Sequence, residues 1–210
     1  MPNWCSNELR INKKYKDKLV NKENKVDFSI LIPMPESLQV DAGSSNDTDM
    51  YVYLSNKFAK SVNDVKKDPH SKLINNSFSN DWIQEVHDRL KKENLSKYNI
   101  NESYKRGKVL IDNYDTYGAI NWYEWAWANW GVKWNANTAD IEEDEDELVL
   151  YFNTPWGPPS GWLEKLAEQK IPFELDWEEE GGMRGRISAD ENGEITDEEL
   201  EPEIWDDEEE

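Results

Sequence analysis

The chain has 210 residues and a formal net charge of −21. Residues 1–110 carry 19 Lys and Arg against 15 Asp and Glu, whereas residues 111–210 carry 5 against 30. Such an acidic surplus argues against ordinary binding of duplex DNA and against docking on an anionic membrane. It leaves a basic partner protein, a cation, or imitation of nucleic-acid charge as candidate functions.

The composition is typical of a folded protein. Aromatic residues make up 12% of the chain and include 11 Trp, whereas disordered acidic chains are poor in such residues. The single cysteine, Cys5, has no partner for an intramolecular disulfide, which favours a reducing compartment. No segment reaches the roughly 18 apolar residues of a membrane span, and the first residues lack the pattern of a signal peptide. We therefore expect a cytoplasmic protein.

The first half of the chain predicts two strands and then a long polar insertion. Apolar residues near alternation predict a strand over 4–11. The compact apolar run 28–32 predicts a second strand, which a Pro-Met-Pro sequence ends. Residues 41–49 have the composition of a mobile loop. Short helices are predicted to begin near Met50 and near Asp81, since Asp81 is a suitable N-cap.

The second half predicts two helices and four strands. Residues 120–131 form an aromatic helix that ends at Gly131, because glycine readily takes the left-handed conformation after a helix. Residues 133–139 and 148–153 predict a hairpin whose tip carries the acidic run 142–147. The remaining predicted elements are a helix at 160–170, strands at 172–178 and 183–188, and an acidic tail at 190–210.

Without the insertion, the order of the elements is β-α-β-β-α-β, which is the ferredoxin-like arrangement. We therefore predict an α+β protein with a ferredoxin-like core, a long helical or loop insertion and an acidic C-terminal tail. The expected divisions are 1–40 for the first strands of the core, 41–112 for the insertion, 113–189 for the rest of the core, and 190–210 for the tail.

Short motifs follow one another over most of the chain. They are Met1-Pro2-Asn3-Trp4-Cys5, Asn7, Pro33-Met34-Pro35, Trp122, Asn129-Trp130-Gly131, Lys133-Trp134-Asn135, Thr154, Trp156, Pro158-Pro159, Glu180-Gly181 and Gly185. Together they resemble the YubB ferredoxin-like family of phages and conjugative plasmids. The chain departs from that family in residues 41–112 and in the acidic tail. The resemblance implies a ferredoxin-like fold and a mobile-element setting, and it carries no catalytic residue over to this chain.

The tryptophans have two interpretations. In the first, they form a core between one helix and the sheet, where each indole N–H needs one partner. The residues assigned to this core are Trp4, Trp122, Trp125, Trp130, Trp134 and Trp156. In the second, exposed members such as Trp127 or Trp156 stack on bases or sugars. Nucleic acid is not the expected partner, because the acidic half of the chain repels phosphate.

Few residues offer catalytic chemistry. Removal of the initiator Met would expose Pro2, whose amine acts as a base or nucleophile if burial lowers its pKa; otherwise Pro2 only begins a strand. Cys5 could act with His70 or His87, but a free cysteine is usually a small buried apolar residue. The sequence has no zinc-ligand spacing and no common nucleotide-binding or hydrolase motif. We expect no enzymatic activity.

One segment resembles a calcium-binding loop. Asp190, Asn192 and Glu199 match positions 3, 5 and 12 of an EF-hand, with Gly193 at its turn. Ser188 stands where the first aspartate belongs, and a strand is predicted before it instead of a helix. The competing interpretation is a hairpin turn at Asp190–Gly193. We expect no cofactor, with calcium as the alternative.

The acidic clusters are the predicted partner-binding surface. Adjacent carboxylates on a strand point to opposite faces, so they do not converge on one ion or substrate. The assigned residues are Asp144, Glu145, Asp146, Glu147, Glu178, Glu179, Glu180, Asp206, Asp207 and Glu208. We hypothesise an accessory protein of a phage or mobile element that engages a host protein with a basic surface, such as a defence or nucleic-acid-binding protein, by charge mimicry. The alternatives are a single-stranded nucleic-acid-binding module and a small enzyme that uses Pro2 or clustered carboxylates.

Overall fold

The computed structural model describes residues 3–74, 81–92 and 99–201. The chain divides into two compact units: a sheet unit of residues 1–34 and 126–210, and a helical unit of residues 35–125. The helical unit contains the region 41–112 that the sequence analysis sets apart as an insertion. No helix in the described part of the chain is long and apolar enough to cross a membrane.

The sheet unit is built on one antiparallel sheet. Its strands are β1 (Trp4–Asn12), β2 (Asn137–Glu143), β3 (Glu147–Pro155), β4 (Phe173–Glu179), β5 (Arg184–Ala189) and β6 (Ile195–Leu200). Their order across the sheet is β2-β3-β1-β4-β5-β6. The unit also contains α1 (Phe28–Leu31) and α7 (Ser160–Glu168), and α6 (Trp122–Trp130) spans the division between the units.

One face of the sheet is apolar and lies under helices. Along β1, Cys5, Leu9 and Ile11 are buried at alternate positions, as the period of two in a strand requires. Phe28 of α1 packs its ring against Phe152 of β3 and Trp162 of α7, at centroid separations of 5.9 and 4.8 Å. Aromatic side chains bury large apolar areas, so these contacts fasten α1 and α7 to this face.

The helical unit has a core of its own. Its helices are α2 (Ser45–Leu54), α3 (Val62–Lys66), α4 (Trp82–Lys92) and α5 (Ile100–Tyr117). Buried side chains that include Tyr51, Leu90 and Leu110 join α2, α4 and α5. The nearly buried carboxylate of Asp49 on α2 accepts two hydrogen bonds from the guanidinium of Arg106 on α5, at 2.6 and 2.9 Å. A buried carboxylate needs such a partner.

Four segments differ from the sequence predictions. Residues 28–31 are helical because Asp27 caps them, accepting a hydrogen bond from the Ser29 amide at 2.9 Å. The loop expected at 41–49 contains the first turn of α2. β2 begins four residues later than predicted, so part of the acidic run is strand. The tail expected at 190–210 contains β6, which pairs with β5.

Candidate binding site on the open sheet face

The face of the sheet opposite α1 and α7 is polar and accessible. It carries the alternate residues of each strand, such as Ser6, Glu8 and Arg10 on β1 and Glu174 and Asp176 on β4. Apart from Pro155 at the end of β3, none of the described residues that face this way from β1, β3, β4 and β5 is buried. We call this surface the open face.

An ion-pair network crosses the middle of the open face. Arg186 on β5 donates two hydrogen bonds to Asp176, at 2.6 and 2.8 Å, and lies 3.5 Å from Glu174. Arg10 on β1 also reaches Asp176, at 3.2 Å, and pairs with Glu8 and Glu174. Bidentate guanidinium–carboxylate pairs are geometrically specific. The network therefore fixes both arginines against the sheet.

The charges of the open face are mainly negative. Opposite residues of paired strands share a face, so the registers place eight carboxylates and three guanidiniums here. The carboxylates are Glu8, Asp140, Glu142, Glu147, Glu174, Asp176, Glu178 and Glu198, and the guanidiniums are Arg10, Arg184 and Arg186. Hydrogen bonds from Arg186 and Arg10 hold the pKa of Asp176 below its usual value. Asp176 is thus an anion at neutral pH and no proton donor.

The pKa of Tyr151 also reflects the negative charge of the open face. Desolvation, and then the negative charges of Glu8 and Glu142, raise this pKa above 10. A phenol with a raised pKa stays protonated at neutral pH and is a poor general base. Asp176 and Tyr151 therefore both keep their usual protonation states at neutral pH.

Two adjoining depressions form a trough along the open face. The first, of about 450 Å³, is lined by Tyr151, Asp176 and Arg186 among others. The second, of about 530 Å³, is lined by Trp4 and by Glu178–Glu180. Both depressions share Ser6, Asn153 and Glu178 as lining residues. All of these residues belong to the sheet unit.

The predicted partner-binding residues fall in three places. Asp144, Glu145, Asp146 and Glu147 are exposed at the β2–β3 turn. At the base of this turn, Glu143 pairs with Lys13 and Lys16, which offset part of the charge there. Glu178, Glu179 and Glu180 line the trough. Asp206, Asp207 and Glu208 lie outside the described residues.

The predicted tryptophan core is correct only in part. Trp125 and Trp130 are buried, Trp4 and Trp122 are half-buried, and Trp134 and Trp156 are exposed. Trp134 and Trp156 follow an element instead of lying inside one, so helical or strand periodicity did not apply to them. Trp162, which is fully buried, is a core residue that was not among the predicted ones. Trp127 is exposed, as expected.

The residues of the calcium-like motif lie apart. The Asp190 carboxylate accepts hydrogen bonds from the backbone amides of Asn192 and Glu194, at 2.8 and 2.9 Å, so it closes a hairpin turn. Glu199 pairs with Gly185, four residues along β6 from Ile195, a span of about 13 Å in a strand. No group of three or more possible metal ligands occurs among the described residues.

The candidate catalytic groups are placed as follows. Burial and the charge of Glu179 raise the pKa of the Cys5 thiol to about 12, so the thiol is protonated at neutral pH and is a weak nucleophile. His70 and His87 belong to the helical unit. There His87 bonds to Tyr51 at 2.5 Å, and His70 bonds to Asp68 and Asp115. Pro2 lies outside the described residues.

The open-face network was not predicted from the sequence. Its signal was present as charged residues at every second position: Glu8 and Arg10, then Glu174 and Asp176, then Arg184 and Arg186. Each pair lies on one face of its strand. The network depends on which strands are neighbours, and that order follows from the fold rather than from local spacing.

A family model with a ferredoxin-like fold matches the C-terminal part of this chain. Residues 129–210 match the family model described as the ferredoxin-like domain in Api92-like protein. A solved structure of protein api92 from Yersinia pseudotuberculosis aligns with 98% of this chain and 100% of its own chain, at 9% identity and a TM-score of 0.43. No match was found among the curated proteins. The family model and the antiparallel sheet confirm the predicted ferredoxin-like α+β fold. The matched model is named for Api92-like proteins, and the resemblance to the YubB family stays a prediction.

Proposed function

We propose that the chain is a non-enzymatic binding protein. Its acidic sheet unit binds a basic surface of a partner protein. The observation that carries this proposal is the charge of the open face, where eight carboxylates meet three guanidiniums. Complementary charge attracts a partner and rejects surfaces of like charge. Nucleic acid and anionic membrane are therefore disfavoured.

The ion pairs strengthen the proposal. Arg10 and Arg186 are engaged by Glu8, Glu174 and Asp176. The other five carboxylates of the open face form no ion pair with a described residue: Asp140, Glu142, Glu147, Glu178 and Glu198. Their charge is available to a partner, and its pull on that partner weakens as salt rises.

The finer form of the proposal follows the resemblance to the YubB family. In it, the chain is an accessory factor of a phage or other mobile element and acts in the host cytoplasm. Its partner is a host protein, such as a defence protein, whose basic surface otherwise binds nucleic acid. The acidic unit imitates nucleic-acid charge on that surface.

Affinity capture with the immobilised full chain tests the proposal. We expect a captured protein that elutes as salt rises, because salt screens the attraction between opposite charges. We also expect duplex DNA to displace the captured protein, because DNA and this chain compete for the same basic surface. A variant with neutral residues on the open face is expected to capture less: Asp140→Asn, Glu142→Gln and Glu198→Gln. A control variant of equal net charge is expected to capture as the wild type does: Asp17→Asn, Glu36→Gln and Asp41→Asn. Capture that neither salt nor DNA alters would contradict charge mimicry.

A further inference from the structure

We infer that the trough on the open face binds an extended segment of the partner that presents lysine or arginine side chains at alternate positions. This inference rests on the proposed function and adds the site and the form of the ligand. The trough crosses all six strands, since its lining runs from Ala139 on β2 to Leu200 on β6. Five interstrand spacings amount to about 24 Å, the length of about seven extended residues.

Ion pairs hold the floor of the trough in place, and the carboxylates in its lining outnumber the guanidiniums. Both oxygens of Asp176 are held by Arg186, so the network has little freedom to rearrange. Glu178 is exposed on the trough wall, at the position where the two depressions meet. Arg184 lies opposite Glu178 in the β4–β5 register, and the neighbouring Glu179 and Glu180 leave this part of the trough with a surplus of negative charge that attracts a cationic side chain.

Aromatic rings mark one end of the trough. Trp4 lines the second depression beside Glu178–Glu180, and its ring lies 6.2 Å from that of Trp134. The ammonium of Lys133 lies 4.4 Å from the centroid of the Trp134 ring, so a cation–π contact already exists at this end. An indole face next to carboxylates favours an organic cation, which gains from both. The polar amides of Asn137 and Asn153 complete the lining.

Other occupants fit less well. An amphipathic helix needs a continuous apolar groove, whereas charged and amide side chains interrupt the apolar residues that line the trough. An acidic ligand would be repelled by the surplus of carboxylates in the lining. An extended cationic segment satisfies both the length and the charge of the trough.

A defined peptide tests the inference. The probe is a fluorescein-labelled peptide of about seven residues with alternating lysine and serine, because alternate residues of an extended chain share a face. Its binding to the full chain is measured by fluorescence anisotropy. We expect Glu178→Lys to weaken binding about tenfold or more, since like charges then meet in the trough. Glu164→Lys is the matched control, because Glu164 is exposed on α7, and it is expected to bind within about twofold of the wild type.

The aromatic end is tested separately. We expect Trp4→Leu to weaken the peptide about threefold and Trp4→Phe to weaken it less, because phenylalanine retains an aromatic face. Thermal melts show that each variant is folded. A chain that ends at Glu201 is expected to bind the peptide as the full chain does.

The outcomes separate the two proposals. If Glu178→Lys and Glu164→Lys weaken the peptide equally, binding follows overall charge and the trough is not the site. If the chain that ends at Glu201 loses binding, the tail holds the peptide and the inference is also wrong. If salt and DNA reduce partner capture but Glu178→Lys does not, the proposed function is supported and the trough is not the binding site. Failure of capture with intact, Glu178-dependent peptide binding would contradict the proposed function alone.

Discussion

Gly107 is where α5 comes nearest to α2. A Cβ atom built on Gly107 would lie 2.5 Å from the backbone carbon of Asp49 and 2.9 Å from Cβ of Tyr53, and closer still to the Asp49 carbonyl oxygen. Backbone atoms cannot yield as a flexible side chain does, so the helices must separate. We expect Gly107→Ala to lower the free energy of unfolding by about 1–3 kcal/mol, even though alanine favours a helix by about 1 kcal/mol over glycine.

Urea unfolding measures this loss, and Gly43→Ala is the matched control. A Cβ on Gly43 meets only the Ser45 hydroxyl, at 4.0 Å, so its effect should stay within about 0.5 kcal/mol. Equal stability of the Gly107→Ala variant and the wild type would show that α2 and α5 are not in this close contact.

Asp176 predicts a dependence of stability on pH. Arg186 and Arg10 lower its pKa in the folded protein, below the value of about 3.9 in an unfolded chain. Such a carboxylate stabilises the fold above its unfolded pKa, and the stabilisation is lost as pH falls through the folded pKa. We therefore expect Asp176→Asn to be less stable than the wild type at pH 7, by about 2 kcal/mol. In urea unfolding, the difference in stability between the two proteins should shrink below about pH 4. A difference that stays constant with pH would contradict this prediction.

At the scale of elements, β6 is a strand that the acidic composition of its segment did not predict. Its six residues ITDEEL include three acids, and acidic residues are depleted in strands. An edge strand tolerates them because its side chains remain in water. The turn before β6 was recognisable, since Asp190 and Gly193 favour a hairpin turn. Gly193 has a φ of 86°, which few other residues adopt.

Hydrogen exchange tests β6 directly. We expect the amides of Ile195–Leu200 that pair with β5 to exchange more slowly than those of the turn at residues 144–146, which lie at an exposed loop tip. Edge strands open locally, so protection should be lower than in β1, which is paired on both sides. Exchange of β6 as fast as that of the turn would mean that the acidic segment is not held as a strand.

The elements show how far the sequence can lead. Alternation identified β1, the apolar run 148–153 identified β3, and the order of elements led to the ferredoxin-like fold. The local apolar pattern gave a wrong prediction at residues 28–31. This run has strand propensity, but Asp27 caps a helical turn there. The open face was missed for another reason. Arg10 and Asp176 are far apart in sequence and meet only because β1 pairs with β4, and no local spacing reveals that pairing.

At the scale of the whole molecule, the charge imbalance has a structural location. The basic residues that surround the open face are tied to carboxylates, whereas many lysines of the first half of the chain belong to the helical unit. Self-repulsion within an acidic surface costs stability. A cationic partner would relieve this repulsion on binding, so the open face is the surface to test first.

Two separate cores predict two cooperative units. Asn7 is 3% exposed and its side-chain amide donates hydrogen bonds to Thr154 and to two carbonyls in the sheet unit. Asn7→Ala should therefore destabilise that unit by about 1–3 kcal/mol, while Gly107→Ala acts on the helical unit. Because each unit has its own buried core, we expect calorimetry to show two transitions, each lowered by only one of the variants. One transition that both variants lower equally would mean that the cores unfold together.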